Sequence, residues 1–220
     1  MSYAVIQDDT YKKWLWEKTG NQCVKNLKKH GFDAHFASDI NEAKKLILGY
    51  VADCESFGFG GSDTTRKIGV IETLKENGKT IHDHWQQGLS REEDLDIRKK
   101  QGQSDCFFCS ANAISVTGEI VNVDGVGNRT NGMCFGPKKV VIAAGINKVT
   151  QDLNSALRRI KDVAAPMRAK SLNMETPCAE TGFCSDCNSP QRICRITAIL
   201  HRKPMFTDVF VVLIGQELGF

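Results

Sequence analysis

The feature that most constrains this fold is an unbroken apolar run, Val-Val-Ile-Ala-Ala at residues 140–144, which stops at Gly145. A run of this length bounded by glycine is typical of a strand buried on both faces. A helical pattern follows it, because Leu153, Leu157 and Ile160 recur at i, i+4 and i+7. The pair predicts a central strand followed by a covering helix.

The same alternation runs along most of the chain. Residues 55–59 and 107–114 each predict a strand. Asp39 and Ser90 are each followed three residues later by a glutamate, the spacing of a capping box that begins a helix. Strands alternating with helices predict an α/β fold with a mostly parallel sheet flanked by helices.

The domain organisation and broad class follow from composition. We interpret residues 1–50 as an N-terminal helical region that packs on an α/β domain at 51–220, which includes a cysteine-rich loop at 177–195. A net charge of +3 without a Lys/Arg-rich run excludes nucleic acid as an expected partner. No apolar stretch is long enough to span a bilayer, and the first residues lack the pattern of a secretory signal. We therefore expect a cytoplasmic protein.

Four of the nine cysteines lie close together, at Cys178, Cys184, Cys187 and Cys194. Thiols in the cytosol are kept reduced, so clustered cysteines there indicate metal ligands or catalytic groups rather than disulfides. Thiolates suit zinc and iron–sulfur clusters. Structural zinc sites usually combine two short Cys-x2–4-Cys pairs, and only one such pair is present here. We expect an iron–sulfur cluster, first of all [4Fe–4S], with zinc as the alternative.

Two other groups of potential ligands carry less weight. Cys106 and Cys109 also have the Cys-x2-Cys spacing, but on a strand these positions face opposite sides, so we interpret them as small buried residues. His82 and His84 share one face of a short strand. We interpret them as ordinary polar strand residues rather than metal ligands.

A glycine-rich loop connects the strand at 55–59 to the next helix. Gly60 and Gly61 allow a ligand to approach the backbone closely, and Ser62, Thr64 and Thr65 add hydroxyl groups. The loop lacks the Gly-Lys-Ser/Thr of a P-loop and is a poor dinucleotide fingerprint. It predicts either an anion-binding turn or a turn required for packing alone.

A second glycine loop, at residues 124–129, carries Asp124, Gly127, Asn128 and Arg129. A guanidinium group can bind a carboxylate or phosphate with two hydrogen bonds. The alternative is a turn whose Asp and Asn satisfy their own backbone. Two such loops in one α/β domain favour a common ligand crevice beyond the carboxyl ends of the strands. We expect Asn112 and Glu119 to reach that crevice as well.

These motifs resemble the LUD (lactate-utilization) domain family over about residues 10–220. The segments that carry the resemblance are Gly60-Gly61-Ser62 opening a helix, residues 110–114, 118–129, 135–140, 144–148, 163–166, 176–178, 184–190 and 215–219. The resemblance implies a fold similar to the ribose-phosphate isomerase and CoA-transferase superfamily. It also implies a link to lactate oxidation together with iron–sulfur redox partners, but it supplies no agreed catalytic residue.

Three functional hypotheses remain open. The first is a redox accessory or subunit in the utilization of lactate or another 2-hydroxy acid, with an iron–sulfur site and a pocket for a small anionic metabolite. The second is an isomerase- or CoA-transferase-like enzyme with a structural metal, in which Glu119 or Asp124 serves as base or nucleophile. The third is a non-catalytic regulatory module that binds a small anion. The sequence leaves open whether the protein forms an oligomer.

Overall fold

The computed structural model describes residues 8–220. The helices are α1 (Asp8–Lys29), α2 (Ile40–Tyr50), α3 (Asp63–Ile68), α4 (Val70–Glu76), α5 (Arg91–Gln101), α6 (Asn128–Cys134), α7 (Leu153–Arg159), α8 (Ala165–Ser171) and α9 (Pro177–Thr181). The strands are β1 (Asp33–Ala37), β2 (Ser56–Phe59), β3 (Thr80–Asp83), β4 (Cys106–Cys109), β5 (Ala113–Ser115), β6 (Ile120–Asp124), β7 (Lys139–Gly145), β8 (Val149–Thr150), β9 (Ile196–Leu200) and β10 (Asp208–Ile214). A 3-10 turn (Ile146–Lys148) and a π-helical turn (Ile160–Ala164) complete the description.

The main sheet has six strands in the order β1-β10-β7-β4-β2-β3, and every neighbouring pair is parallel. The predicted α/β fold with a mostly parallel sheet flanked by helices is confirmed. Strand β7 contains the apolar run 140–144, and its residues from Val140 to Gly145 are fully buried or nearly so. It lies between β10 and β4 in the middle of the sheet, where both of its faces are covered.

Two apolar cores cover the two faces of this sheet. One contains Phe57 and Cys106 and is covered by α2, α3 and α4; the other contains Phe107 and Cys109 and includes residues of α1 and α6. Cys106 and Cys109 thus face opposite sides of β4, as the strand pattern predicts. Burial raises the pKa of the Cys109 thiol to about 12, so this side chain behaves as a small apolar group.

A smaller sheet, in the order β8-β5-β6-β9, lies beside the main one. The single strand predicted at 107–114 is therefore wrong: the chain leaves the main sheet after Cys109 and enters the smaller sheet at Ala113. The intervening Asn112 forms hydrogen bonds that hold this crossing, because its backbone nitrogen donates to Asn122 Oδ1 and its Oδ1 accepts from Val123 N, each at 2.8 Å. A half-buried polar residue, whose role side-chain periodicity does not reveal, directs the chain here.

The N-terminal region predicted at 1–50 contains α1, β1 and α2, and its residues 1–7 lie outside the described residues. Asp39 caps α2 by accepting from the backbone nitrogens of Asn41 and Glu42. Strand β1 pairs with β10, so this region contributes an edge strand to the main sheet. In the part of the chain from residue 8 onward, no helix is long and apolar enough to cross a membrane.

Candidate functional site

A cavity of about 420 Å³ opens beyond the carboxyl ends of the parallel strands. Gly60, His84 and Ser110 come directly after β2, β3 and β4, and Lys148 lies three residues after β7. All four line the cavity. Ligands of open α/β sheets bind at this edge, so the fold places the cavity where a binding site is expected.

The structure brings most of the sequence-predicted ligand residues to this one cavity. Those that line it are Gly60, Gly61, Ser62, Thr64, Asn112, Asp124, Asn128 and Arg129. Thr65 and Gly127 belong to the same two loops but do not line it. Both glycine loops and the β4–β5 crossing therefore form parts of one wall, and binding by these residues stays a prediction.

The first loop needs its glycines for close packing. A Cβ atom on Gly60 would lie 2.5 Å from Phe107 Cζ, and Gly61 has a φ of +44° with Trp85 Nε1 2.9 Å from the position of its missing Cβ. The hydroxyl of Ser62 accepts a hydrogen bond from Thr65 N at 3.1 Å and caps α3. The loop backbone can therefore form a cavity wall without side chains filling the space.

The second loop is organised by an ion pair rather than by a free guanidinium. Arg129 donates from Nε and Nη2 to Asp124 Oδ1 at 2.8 and 2.6 Å, and Nη2 also donates to Asn112 Oδ1 at 3.0 Å. Asp124 Oδ2 accepts from Thr130 N at 2.7 Å. The Asp124 side chain is 7% exposed, so this is a buried pair. Arg129 shapes the cavity wall, and the Asp124 carboxylate is already engaged by two partners.

Glu119 lies outside the cavity lining, contrary to the expectation that it reaches the crevice. It lies at the turn between β5 and β6, where its carboxylate accepts hydrogen bonds from the hydroxyls of Ser115 and Thr117. Burial works against ionisation, but these hydrogen bonds outweigh it and hold the pKa of Glu119 below its usual value. With Asp124 paired as well, neither candidate carboxylate is free to act as base or nucleophile in this cavity.

Two hydrogen bonds through the buried Gln101 connect Asn128 to His84, and both of these residues line the cavity. Asn128 Nδ2 donates to Gln101 Oε1 at 3.0 Å, and Gln101 Nε2 donates to His84 Nδ1 at 2.8 Å. Burial, followed by the nearby charge of Arg98, lowers the pKa of His84 to about 4. His84 is therefore neutral at physiological pH, and with Nδ1 accepting from Gln101 its Nε2 carries the proton. From its sequence pattern, His84 is interpreted as an ordinary strand residue. In the structure it directly follows β3 and lines the cavity.

Lys148 is the most unusual group in the cavity. Its side chain is buried, and Nζ lies 3.2 Å from Thr64 Oγ1 and 3.0 Å from Ser110 Oγ. Among residues 8–220, no carboxylate forms a salt bridge with it. Burial, followed by the positive charges of Arg159 and Arg129, lowers its pKa to about 7. Burying a lysine without a carboxylate partner costs folding free energy, so Lys148 is a candidate functional residue.

The charge of the lining favours anions. Arg98, Arg129, Lys148 and Arg168 line the cavity, against the carboxylates of Asp63 and Asp124. Basic groups thus outnumber acidic ones. Sequence reasoning missed Lys148, Arg98 and Arg168, because they lie on elements far from the glycine loops in sequence.

Trp85 lies between two guanidinium groups at the rim. The Arg66 and Arg168 guanidinium carbons are 4.4 and 4.9 Å from its ring centroid, and Arg66 is fixed by two hydrogen bonds to Asp83 at 2.7 and 2.8 Å. Arg168 is held more weakly, by Asp63 at 3.4 Å. Stacking orients Arg168 while leaving its donors available to the cavity. Trp85 also lines the cavity, so its indole is close to any ligand bound there.

The π-helical turn Ile160–Ala164 forms another part of the cavity wall, since Ile160 and Ala164 line the cavity. Arg159, which precedes it, donates to Asn147 O at 3.0 Å and to Asn112 O at 2.6 Å. Such turns interrupt regular helices and often occur at functional sites. Here the turn connects α7 to α8, whose Ala165 and Arg168 also line the cavity.

The four clustered cysteines lie on the adjoining surface loop, and Cys194 also lines the cavity. Burial raises the pKa of Cys194, and the nearby thiols of Cys178, Cys184 and Cys187 raise it further. Over the described range 8–220, however, no three His, Cys, Asp or Glu side chains are placed so that they could hold one metal ion. The donor chemistry suits a cluster or zinc, whereas the arrangement of the thiols does not.

Comparison with known proteins supports the fold and the family. The LUD domain family model matches residues 20–214. A DUF162 family protein from Deinococcus radiodurans has a similar structure, with a TM-score of 0.50 and 9% sequence identity over 90% of this chain and 98% of that chain. At this identity the likeness concerns the fold alone. No curated protein matches the chain in sequence.

Proposed function

Because the chain belongs to the LUD domain family, we propose that it binds a small anionic metabolite of lactate or related 2-hydroxy-acid utilization in the cavity. It does so as a cytoplasmic redox accessory or subunit that works with iron–sulfur proteins. The observation that carries the binding proposal is Lys148, a buried ammonium group without a carboxylate partner among the described residues, in a cavity where basic side chains outnumber acidic ones.

The ligand class follows from the chemistry of the wall. A carboxylate can accept from Lys148 and Arg168 and thereby supply the direct salt-bridge partner that Lys148 lacks among the described residues. The neutral His84 and the hydroxyl groups of Thr64 and Ser110 suit the hydroxyl or oxo group of the same metabolite. The cavity volume, about 420 Å³, is ample for a molecule of this size.

Trp85 provides the test. The chain has three tryptophans, and replacing Trp14 and Trp16, both on α1, by phenylalanine leaves Trp85 as the single indole reporter. Titration with lactate or pyruvate should change its fluorescence saturably, whereas the uncharged lactamide should bind at least about 10-fold more weakly, since a charge-assisted hydrogen bond is lost.

Two variants in this background identify the site. Lys148→Met should weaken carboxylate binding by about 10- to 100-fold, because a charged partner is removed. Lys75→Met removes an exposed lysine of α4, away from the cavity, and should leave affinity unchanged. If neither lactate nor pyruvate changes Trp85 fluorescence saturably, the cavity is not a site for this class of metabolite.

The redox part of the proposal concerns the loop with Cys178, Cys184, Cys187 and Cys194. What supports it is the donor type and the sequence spacing of these four cysteines, since thiolates suit an iron–sulfur cluster, or zinc as the alternative. Anaerobic purification followed by metal analysis and visible spectroscopy tests it. A brown protein that dithionite bleaches supports a cluster; a colourless protein with one zinc supports a structural metal. A protein with neither contradicts the redox part and leaves the anion-binding part standing.

A further inference from the structure

Lys148 has the surroundings of a nucleophile as well as those of an anion anchor. It is held by two hydroxyl groups, Thr64 Oγ1 at 3.2 Å and Ser110 Oγ at 3.0 Å, and it lines the cavity. An anchor that only binds anions functions best when fully charged, as the neighbouring arginines are. A lysine with hydroxyl partners and basic neighbours can also lose its proton and attack an electrophile.

The groups around Lys148 decide its protonation. Burial is the largest influence, and the positive charges of Arg159 and Arg129 act in the same direction. Asp63 and Cys109 oppose them, and the resulting pKa is about 7. A substantial share of the side chain is therefore a neutral amine at neutral pH, whereas an exposed lysine is almost entirely charged there.

We propose that Lys148 forms an imine with the carbonyl carbon of a small 2-oxo acid bound in the cavity. The proposal rests on the proposed anion-binding function and adds a covalent step and a substrate class to it. The Nζ lone pair attacks the carbonyl carbon, a C–N bond forms, and the carbonyl oxygen becomes a hydroxyl group. Loss of water, which carries away that oxygen and both amine protons, gives the imine. The step is reversible and involves no oxidation or reduction.

The geometry assigns roles to the neighbouring groups. Ser110 and Thr64 lie within hydrogen-bond distance of Nζ, so their hydroxyls can pass protons between the nitrogen and the departing oxygen. Arg168 is available to hold the carboxylate, because its contact to Asp63 is long at 3.4 Å. A 2-hydroxy acid has no electrophilic carbon at this position. It can occupy the cavity but cannot react, so the site distinguishes the two oxidation states of one metabolite.

Reductive trapping tests the proposal on the full chain. Incubation with pyruvate and sodium borohydride should fix the imine as a stable secondary amine, and peptide mass spectrometry should locate the reduced pyruvyl group on Lys148. Lactate under the same conditions should leave no label. Lys148→Arg keeps the positive charge but should lose the label, whereas Lys75→Arg, on α4 and away from the cavity, should retain it.

Each other outcome overturns the proposal in a distinguishable way. If the label is spread over exposed lysines and Lys148 is not preferred, pyruvate reacts only non-specifically with surface amines, and the proposal is wrong. Saturable binding of pyruvate to the Trp85 reporter without label on Lys148 shows that Lys148 anchors the anion non-covalently, and the proposed function then stands. Absence of both binding and label overturns the proposed function and the imine together. The wild-type label decides the question even if Lys148→Arg does not fold.

Discussion

Arg129 and Asp124 form a buried ion pair in which Nη2 lies 2.6 Å and Nε 2.8 Å from the same carboxylate oxygen. The pair connects the end of β6 to the first turn of α6, and the other carboxylate oxygen accepts from Thr130 N. Both charges are thus satisfied within the protein. The motif that suggests a ligand clamp in the sequence holds the second glycine loop in shape, and ligand binding by these residues stays a prediction.

Replacing Asp124 by asparagine should therefore destabilise the protein. The change leaves the Arg129 guanidinium buried without its counter-charge, and we expect a loss of about 3 kcal/mol in the free energy of unfolding. Urea denaturation measures it. Asp96→Asn, which removes an exposed ion pair with Lys100 on α5, is the control and should change stability little. Equal effects of the two changes would show that the Asp124 pair is not structural.

Replacing Gly60 by alanine should disturb the first loop, because the new Cβ would lie 2.5 Å from Phe107 Cζ. We expect a loss of about 1 to 3 kcal/mol from overpacking, together with weaker anion binding. Gly49 on α2 is the matched control, since nothing lies within 4 Å of the position of its Cβ. Gly49→Ala should stabilise the helix by about 0.5 kcal/mol. Thermal unfolding should show a lower melting temperature for Gly60→Ala and a higher one for Gly49→Ala than for the wild type.

His84 should make stability depend on acid pH. Its pKa in the folded protein, about 4, lies below the usual histidine value of 6.5, so the unfolded chain binds the proton more tightly. The stability that the neutral imidazole contributes is fully present above the unfolded pKa and is lost as the pH falls from about 6.5 towards 4. We expect the free energy of unfolding to decrease by about 1 to 2 kcal/mol between pH 7 and pH 5. Urea denaturation of wild type and His84→Asn at the two pH values measures it. An unchanged pH dependence in the variant would refute the assignment.

Lys148 should give the corresponding signature at alkaline pH. Its folded pKa of about 7 lies below the usual 10.5, so the folded protein releases the proton first as the pH rises. The free energy of unfolding should then increase between about pH 7 and 9, by about 2 kcal/mol relative to Lys148→Met. A wild-type profile parallel to that of the variant would mean that Lys148 keeps an ordinary pKa. Lys75→Met, which removes an exposed lysine of α4, should behave like wild type.

Much of the fold was predictable because it depends on local pattern. The apolar run that becomes β7, the caps at Asp39 and Ser90 and the opposite orientation of Cys106 and Cys109 all follow from side-chain chemistry and strand or helix period. The break between β4 and β5 was not predictable. It depends on the side chain of Asn122, which accepts a hydrogen bond from a backbone nitrogen ten residues away. Periodicity contains no information about such a partner.

The sequence by itself determined the alternation of strands and helices, the two glycine loops and the presence of four neighbouring cysteines. Only the tertiary structure decided which polar groups meet. The order β7-β4-β2 brings the ends of three strands together, so Lys148 meets Ser110 and Thr64 although they are 38 and 84 residues away. The pKa of a lysine and the availability of a carboxylate depend on such neighbours and on burial. These are properties of the packed sheet and not of any segment of the chain.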